Sequence, residues 1–110
     1  MNISRLMAAI VQNQDADHAI DALHHVGFSV TKLSSTGGFM GSHNVTLLIA
    51  MKEGQEQKAM SILSESCRQR VEYVTTPLEG APFYLPLPTP INVGGATIFT
   101  MSVERYEVIE

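Results

Sequence analysis

Ser4-Arg5-Leu6-Met7-Ala8-Ala9-Ile10-Val11-Gln12 decides the fold, and His43-Asn44-Val45-Thr46-Leu47-Leu48-Ile49-Ala50-Met51 says the same thing again. Both stretches are apolar at odd and even positions. Leu6, Ala8 and Ile10 alternate with Met7, Ala9 and Val11; Val45, Leu47 and Ile49 alternate with Thr46, Leu48 and Ala50. A strand sends successive side chains to opposite faces of its sheet, so these runs read as strands covered on both faces. Residues 15–26 read as a helix between strands. Asp15 caps it, Asp17 suits the positive end of its dipole, and Gly27 stops it. Its inner face is Ala16, Ala19, Ile20, Leu23 and Val26, which recur at helical spacing.

The rest of the chain follows from these. Residues 28–35 read as the second strand, joined by a Gly-containing loop at 36–42 to the strand at 43–51. Residues 54–69 read as a second helix with Ala59, Ile62, Leu63 and Ser66 inward. A short fourth strand is expected at 71–75. Residues 76–90 hold all five prolines and read as a long loop, unfit for a central strand or a helix. Residues 96–103 form the last strand. The order strand, helix, strand, strand, helix, strand is ferredoxin-like, an α+β sandwich with an extra C-terminal strand. In that fold the helices cover one sheet face, and the first and third strands are central. The helix-free face then needs another cover, because a large exposed apolar face is rare on a monomer. A homo-oligomer with sheet faces packed together is expected.

Composition narrows the function. A chain of 110 residues with 45% hydrophobic content is expected to form one domain, residues 1–110, with its own core. The single cysteine, Cys67, excludes an intrachain disulfide and a four-cysteine zinc site. A net charge of −4 with seven Lys and Arg disfavours a nucleic-acid polymer as partner, but not a small phosphate ligand. No apolar run approaches the about 20 residues a membrane helix needs, and the N-terminal apolar run is too short for a signal peptide, so a cytoplasmic protein is expected.

Two Gly-Gly segments carry the sharpest local chemistry. Thr31-Lys32-Leu33-Ser34-Ser35-Thr36-Gly37-Gly38-Phe39-Met40 leads small hydroxyl residues into a pair that tolerates left-handed angles. Its N–H groups can converge on an anion, and Phe39 can stack on an aromatic ring. The same pattern also fits a plain hairpin turn. Asn92-Val93-Gly94-Gly95-Ala96-Thr97-Ile98-Phe99 permits close backbone approach, or equally a tight bend into the last strand. His18, Asp21 and His25 share an outer helix face, where a solvated surface is expected rather than a metal site. His43 reads as a surface residue beside Asn44. Cys67 reads as a buried, inert thiol. No Walker motif or nicotinamide-cofactor fingerprint is present.

Val11-Gln12-Asn13-Gln14-Asp15, Thr31-Lys32-Leu33, Ser35-Thr36-Gly37-Gly38-Phe39 and Asn92-Val93-Gly94-Gly95-Ala96-Thr97-Ile98-Phe99, in that order and spacing, resemble the PII-like cyclic di-AMP receptor family over nearly the whole chain. The resemblance implies a non-catalytic homotrimer related in fold to PII nitrogen-regulatory proteins. It implies cyclic di-AMP, a small nucleotide second messenger, bound in clefts between subunits. It implies ligand-responsive loops at 36–42 and 76–90 that signal to an unidentified protein partner, and no cofactor.

The site residues implied are Gly27, Ser29, Thr31, Gly37, Gly38, Phe39, Met40, Asn44, Ala50, Gly94, Gly95, Thr97 and Phe99. Thr31, Gly38, Phe39 and Asn44 match the family pattern, and Met40 stands for a Leu. Gly27 and Ser29 depart from the family's Asn and Arg. Ala50 stands where Gly is frequent, and Val108 where relatives carry Gln. Gly27, Ser29 and Thr31 share one face, opposite Phe28 and Val30. A charge-assisted hydrogen bond to phosphate contributes ~1.5–3 kcal/mol, so losing that Arg weakens such a contact ~10- to 100-fold. Two alternatives follow: a PII-like module for another nucleotide such as ATP, and a small ferredoxin-like enzyme or metal-binding trimer.

Overall fold

The computed structural model describes residues 3–34, 43–77 and 86–110, with backbone alone at 74–77 and 86–89. The expectations for Gly37, Gly38, Phe39, Met40 and the loop at 36–42 therefore lie outside the described residues, as does most of the 76–90 segment.

The elements are β1 (Arg5–Gln12), α1 (Asn13–His25), β2 (Ser29–Ser34), β3 (Asn44–Met51), α2 (Glu56–Ser66), β4 (Arg70–Pro77), β5 (Pro86–Val93) and β6 (Ala96–Ser102). The fold mixes two helices with antiparallel sheets. The main sheet has the order β2-β3-β1-β6, antiparallel throughout. β1 and β3 are its central strands, as their apolar sequences require.

Period two sorts the sheet into a closed and an open face. Met7, Ala9 and Val11 lie opposite Ile49, Leu47 and Val45, and all six are buried. Ala16, Ala19 and Leu23 of α1 and Ala59 and Leu63 of α2 complete that core. Ile20, Ile62 and Val30 pack against it half-buried. Leu6, Ala8 and Ile10 point the other way and are only half-buried. The two-sided apolar pattern therefore corresponds to one covered face and one open face in the single chain.

The helix boundaries differ from the sequence expectation. α1 starts at Asn13, straight out of β1, with Gln12 at the N-cap and no side-chain cap. Asp15 is not the cap: it sits in the first turn, buried, with its carboxylate committed elsewhere. Val26 is exposed beyond the helix end. Gly27 does stop α1, at φ 95°. Its N–H donates to the His24 carbonyl, and the Phe28 N–H donates to that of Leu23. Buried Phe28 and Leu23 accompany this pair, as a Schellman termination requires. α2 starts at Glu56 because Gly54 is left-handed, at φ 96°, and its N–H donates to the Glu56 carboxylate. It ends at Ser66.

The last two strands overturn the expected connectivity. β4 does not join the main sheet. It pairs with β5 in a separate two-stranded ribbon, and β6 takes the edge beside β1 that a ferredoxin-like β4 would fill. Much of the expected proline loop is strand. Pro86, Pro88 and Pro90 lie opposite Pro77, Thr75 and Tyr73. Their spacing of two sets all three missing N–H donors on one edge. The intervening residues supply the ladder to β4, so the prolines face outward, where a two-stranded ribbon needs no donor.

Leu47 is fully buried at the centre of the covered face. Leu47→Ala is expected to destabilise the fold by about 2–5 kcal/mol, read from urea denaturation midpoints.

Candidate ligand-binding site

The chain must turn from the ribbon into the main sheet between Val93 and Ala96, and Gly94 and Gly95 make that turn. Both are left-handed, at φ 88° and 86°. The Gly94 N–H donates to Gln12 Oε1 at 2.8 Å, and the Gly95 N–H donates to the Cys67 carbonyl at 2.5 Å. A Cβ on Gly94 would collide with the main-chain carbonyl of Arg68 and press on the Arg70 guanidinium. So the corner is pinned between the end of β1 and the end of α2. The sequence left close approach and a tight bend both open; the structure has both.

An ion pair holds the ribbon's base. The Arg70 guanidinium grips Asp15 with both branches, Nη2–Oδ1 at 2.9 Å and Nη1–Oδ2 at 3.4 Å. It also donates to the Arg68 carbonyl at 3.0 Å and to Glu72 at 3.2 Å. Asp15 is 5% exposed. A carboxylate that deep needs a charged partner, and Arg70 is the one it has. Above all the bond to Asp15 holds the guanidinium pKa above its ordinary value.

Cys67 lies against this cluster, fully buried. Burial pushes its thiol up to about 11, Asp15 adds to the rise, and Arg70 offsets part of it. The inert-thiol reading from the sequence fits that environment.

A cleft of about 280 Å³ opens beside the corner, on the open sheet face. Ile10, Gln12, Asn44, Gly94, Gly95, Ala96 and Thr97 line it. Four expected site residues (Asn44, Gly94, Gly95 and Thr97) are thus brought together. Others are not. Ser29 and Ala50 pair with each other and, through Leu6, with Met101, at the far end of the sheet. Ala50 lies six residue steps along β3 from Asn44, about 20 Å at strand rise. Gly27 lies at that far end too, where it terminates α1. Thr31 and Phe99 share the middle row at opposite edges, across Leu48 and Ala8, and Phe99 is 55% exposed.

The basic residues nearest in sequence to the expected site are ion-paired within the single chain. Lys32 pairs with Asp17 at 3.5 Å, and Arg5 with Glu53 at 3.1 Å. His18, Asp21 and His25 are exposed on α1. Among the described residues no group of three or more His, Cys, Asp or Glu could hold a metal ion. No described helix is long and apolar enough to cross a membrane.

Sequence reasoning missed Gln12, Asp15 and Arg70. Gln12 ends a strand and Asp15 opens a helix, so local rules gave each a local role. Only their partners 82 and 55 residues away reveal the corner and the ribbon anchor.

Comparison with known proteins places these features. The family model described as cyclic-di-AMP receptor matches residues 4–109. A functionally unknown protein from Pediococcus pentosaceus has a similar crystal structure, with a TM-score of 0.76 at 31% identity, covering 97% of this chain and 98% of that one. A DUF3240 family protein from Shewanella baltica matches over 100% of both chains with a TM-score of 0.58 at 15% identity, a likeness of fold alone. The chain belongs to the cyclic-di-AMP receptor family.

Gly94→Ala combines a strained left-handed Ala with a backbone collision. It is expected to lower stability by more than about 1 kcal/mol, measured by thermal unfolding against wild type. The Cys67 thiol, raised from 9.0 to about 11, is expected to alkylate about 100-fold more slowly than an unfolded cysteine near pH 8. Because the folded value is the higher one, the buried thiol's share of stability is complete below about pH 9 and is lost as pH rises toward 11. Cys67→Ala should flatten the stability profile over that window.

Proposed function

We propose that this chain is a non-catalytic, cytoplasmic signal-transduction protein that binds cyclic di-AMP in clefts between the subunits of a homotrimer. Ligand occupancy would be relayed by the segments 36–42 and 76–90 to a protein partner.

Family membership supports the ligand. One observation supports its place between copies: Asn44, Gly94, Gly95 and Thr97 lie about 20 Å of strand from Ser29 and Ala50. A single chain cannot close both groups on one dinucleotide. A neighbouring copy can bring its far end to this cleft. The open face supports assembly as well. Leu6, Ala8, Ile10, Leu48, Phe99 and Met101 share it, with Phe99 and Met101 exposed in the isolated chain. Packing that face against other copies removes apolar surface from water at about 25 cal/mol per Å².

Calorimetric titration of the purified protein with cyclic di-AMP, alongside sedimentation, tests this reading. A trimer that releases binding heat is expected. A folded trimer with no heat at high micromolar ligand, or a stable monomer at low micromolar protein, counts against it. Phe39→Ala is expected to weaken binding about 5- to 100-fold through lost base stacking while leaving the oligomer intact. Equal affinity in that variant removes the stacking role. The second reading, a module for another nucleotide such as ATP, is favoured by Ser29 standing at the family's Arg position. A thermal-shift panel separates the two, because only a ligand of the folded state raises the melting temperature.

A further inference from the structure

We infer that Lys52 is the phosphate-binding cation of the site, supplied to the Gly94–Gly95 cleft by a neighbouring copy; the inference rests on the nucleotide reading above. A cyclic dinucleotide brings two phosphodiester anions to a chain whose own net charge is −4. Backbone amides often hold phosphate at a Gly-Gly pair. At this corner they are spent: the Gly94 N–H is bound to Gln12 and the Gly95 N–H to the Cys67 carbonyl. Ser29 and Ala50, the expected site residues at the far end of the sheet, carry no charge. A side-chain cation is the remaining source of charge among the described residues.

The chain has seven Lys and Arg. Arg5, Lys32, Arg70 and Arg105 are ion-paired. Lys52, Lys58 and Arg68 are in no ion pair among the described residues. Lys58 sits on α2, which packs on the covered sheet face through Ala59 and Leu63. Arg68 lines a groove with Leu63, Cys67 and Ile98 on that same covered side. Lys52 is the exception. It follows Met51, which is buried on the covered face, so period two sends Lys52 to the open one, in series with Leu48 and Ala50. Ala50 faces Ser29 across the ladder, and Lys52 is two residues further on, about 7 Å of strand. A lysine's flexible four-carbon stem spans such a gap.

The main chain beneath Lys52 is fixed. Its N–H donates to Gln55 Oε1 at 2.8 Å, and its carbonyl accepts from the Gln55 N–H at 3.2 Å. Lys52 is thus the first residue of the turn that carries left-handed Gly54, ahead of the two residues that bend. The Glu53 N–H donates to Ser4 Oγ at 2.8 Å, a second tie to the sheet. The carboxylates nearest in sequence, Glu53 and Glu56, are held by Arg5 at 3.1 and 4.0 Å, and Lys52 is exposed. With the next copy's far end at the cleft, this ammonium completes the site across the seam from Asn44 and Thr97.

Calorimetry on the full chain at two salt concentrations tests this, with cyclic di-AMP and ATP as separate ligands and sedimentation alongside. Lys52→Gln is expected to bind at least about 10-fold more weakly and with a flatter salt dependence, as a trimer with the wild-type melting temperature. Lys52→Arg, which keeps the charge, should recover most of the affinity. Lys58→Gln and Arg68→Gln should bind as wild type does. Equal affinity in Lys52→Gln, a loss with unchanged salt dependence, or an equal loss in Lys58→Gln or Arg68→Gln overturns the assignment. A Lys52→Gln chain that no longer forms the trimer overturns it too, because Lys52 then serves assembly. A wild-type monomer that binds with the same dependence on Lys52 overturns its supply by a neighbour. Wild-type protein that binds neither ligand instead overturns the nucleotide reading itself.

Discussion

The two left-handed glycines between β5 and β6 are the constraint on which the arrangement turns. Neither position suits an L side chain, and at Gly94 even a methyl group would strike the Arg68 carbonyl. Two hydrogen bonds, to Gln12 and to the Cys67 carbonyl, hold the corner against the ends of β1 and α2. Because the chain can turn there, β6 lands beside β1 and completes the sheet. Because it turns so tightly, Ala96 and Thr97 fall next to Asn44 and Gln12, and a cleft forms from residues at three separate places in the chain.

The same corner frees β4. With β6 on the edge beside β1, β4 has no place in the main sheet and pairs with β5 instead. The ribbon so formed makes little contact with the sheet along its length. Its base does the holding. Asp15, buried at the start of α1, receives both branches of Arg70, and Val93 is buried beside the turn. One guanidinium thus touches α1 through Asp15, the α2–β4 connection through the Arg68 carbonyl, and the ribbon itself through Glu72.

What the sequence revealed and what it hid divide along the range of the interactions. The covered face of β1 and β3, the inner stripes of both helices except Val26, and the stop at Gly27 were legible, because periodicity and the C-terminal cap are decided within a few residues. The resemblance also pointed to Asn44, Gly94, Gly95 and Thr97, which the fold brings into one cleft. The ribbon was not legible. Its existence depends on the choice of partner for β4, and that choice is settled by Gly94, Gln12 and the Asp15–Arg70 bond, all distant in sequence. Asp15 misled because an aspartate at a helix start looks like a cap whether or not a buried arginine waits 55 residues on. The prolines misled in a subtler way. Their number argued for a loop, whereas their spacing of two, at 86, 88 and 90, was the signature of a strand with one expendable edge.

That spacing has a consequence for how copies of the protein behave at high concentration. An exposed ribbon is a template for recruiting further strands, the first step toward cross-β polymers. On β5 the outward rim offers carbonyls but, at three successive sites, no amide hydrogen for an incoming backbone to receive. A foreign strand docking there would find half its ladder missing. The proline row therefore acts as a built-in terminator, letting the ribbon extend from the sheet without inviting polymerisation along that side.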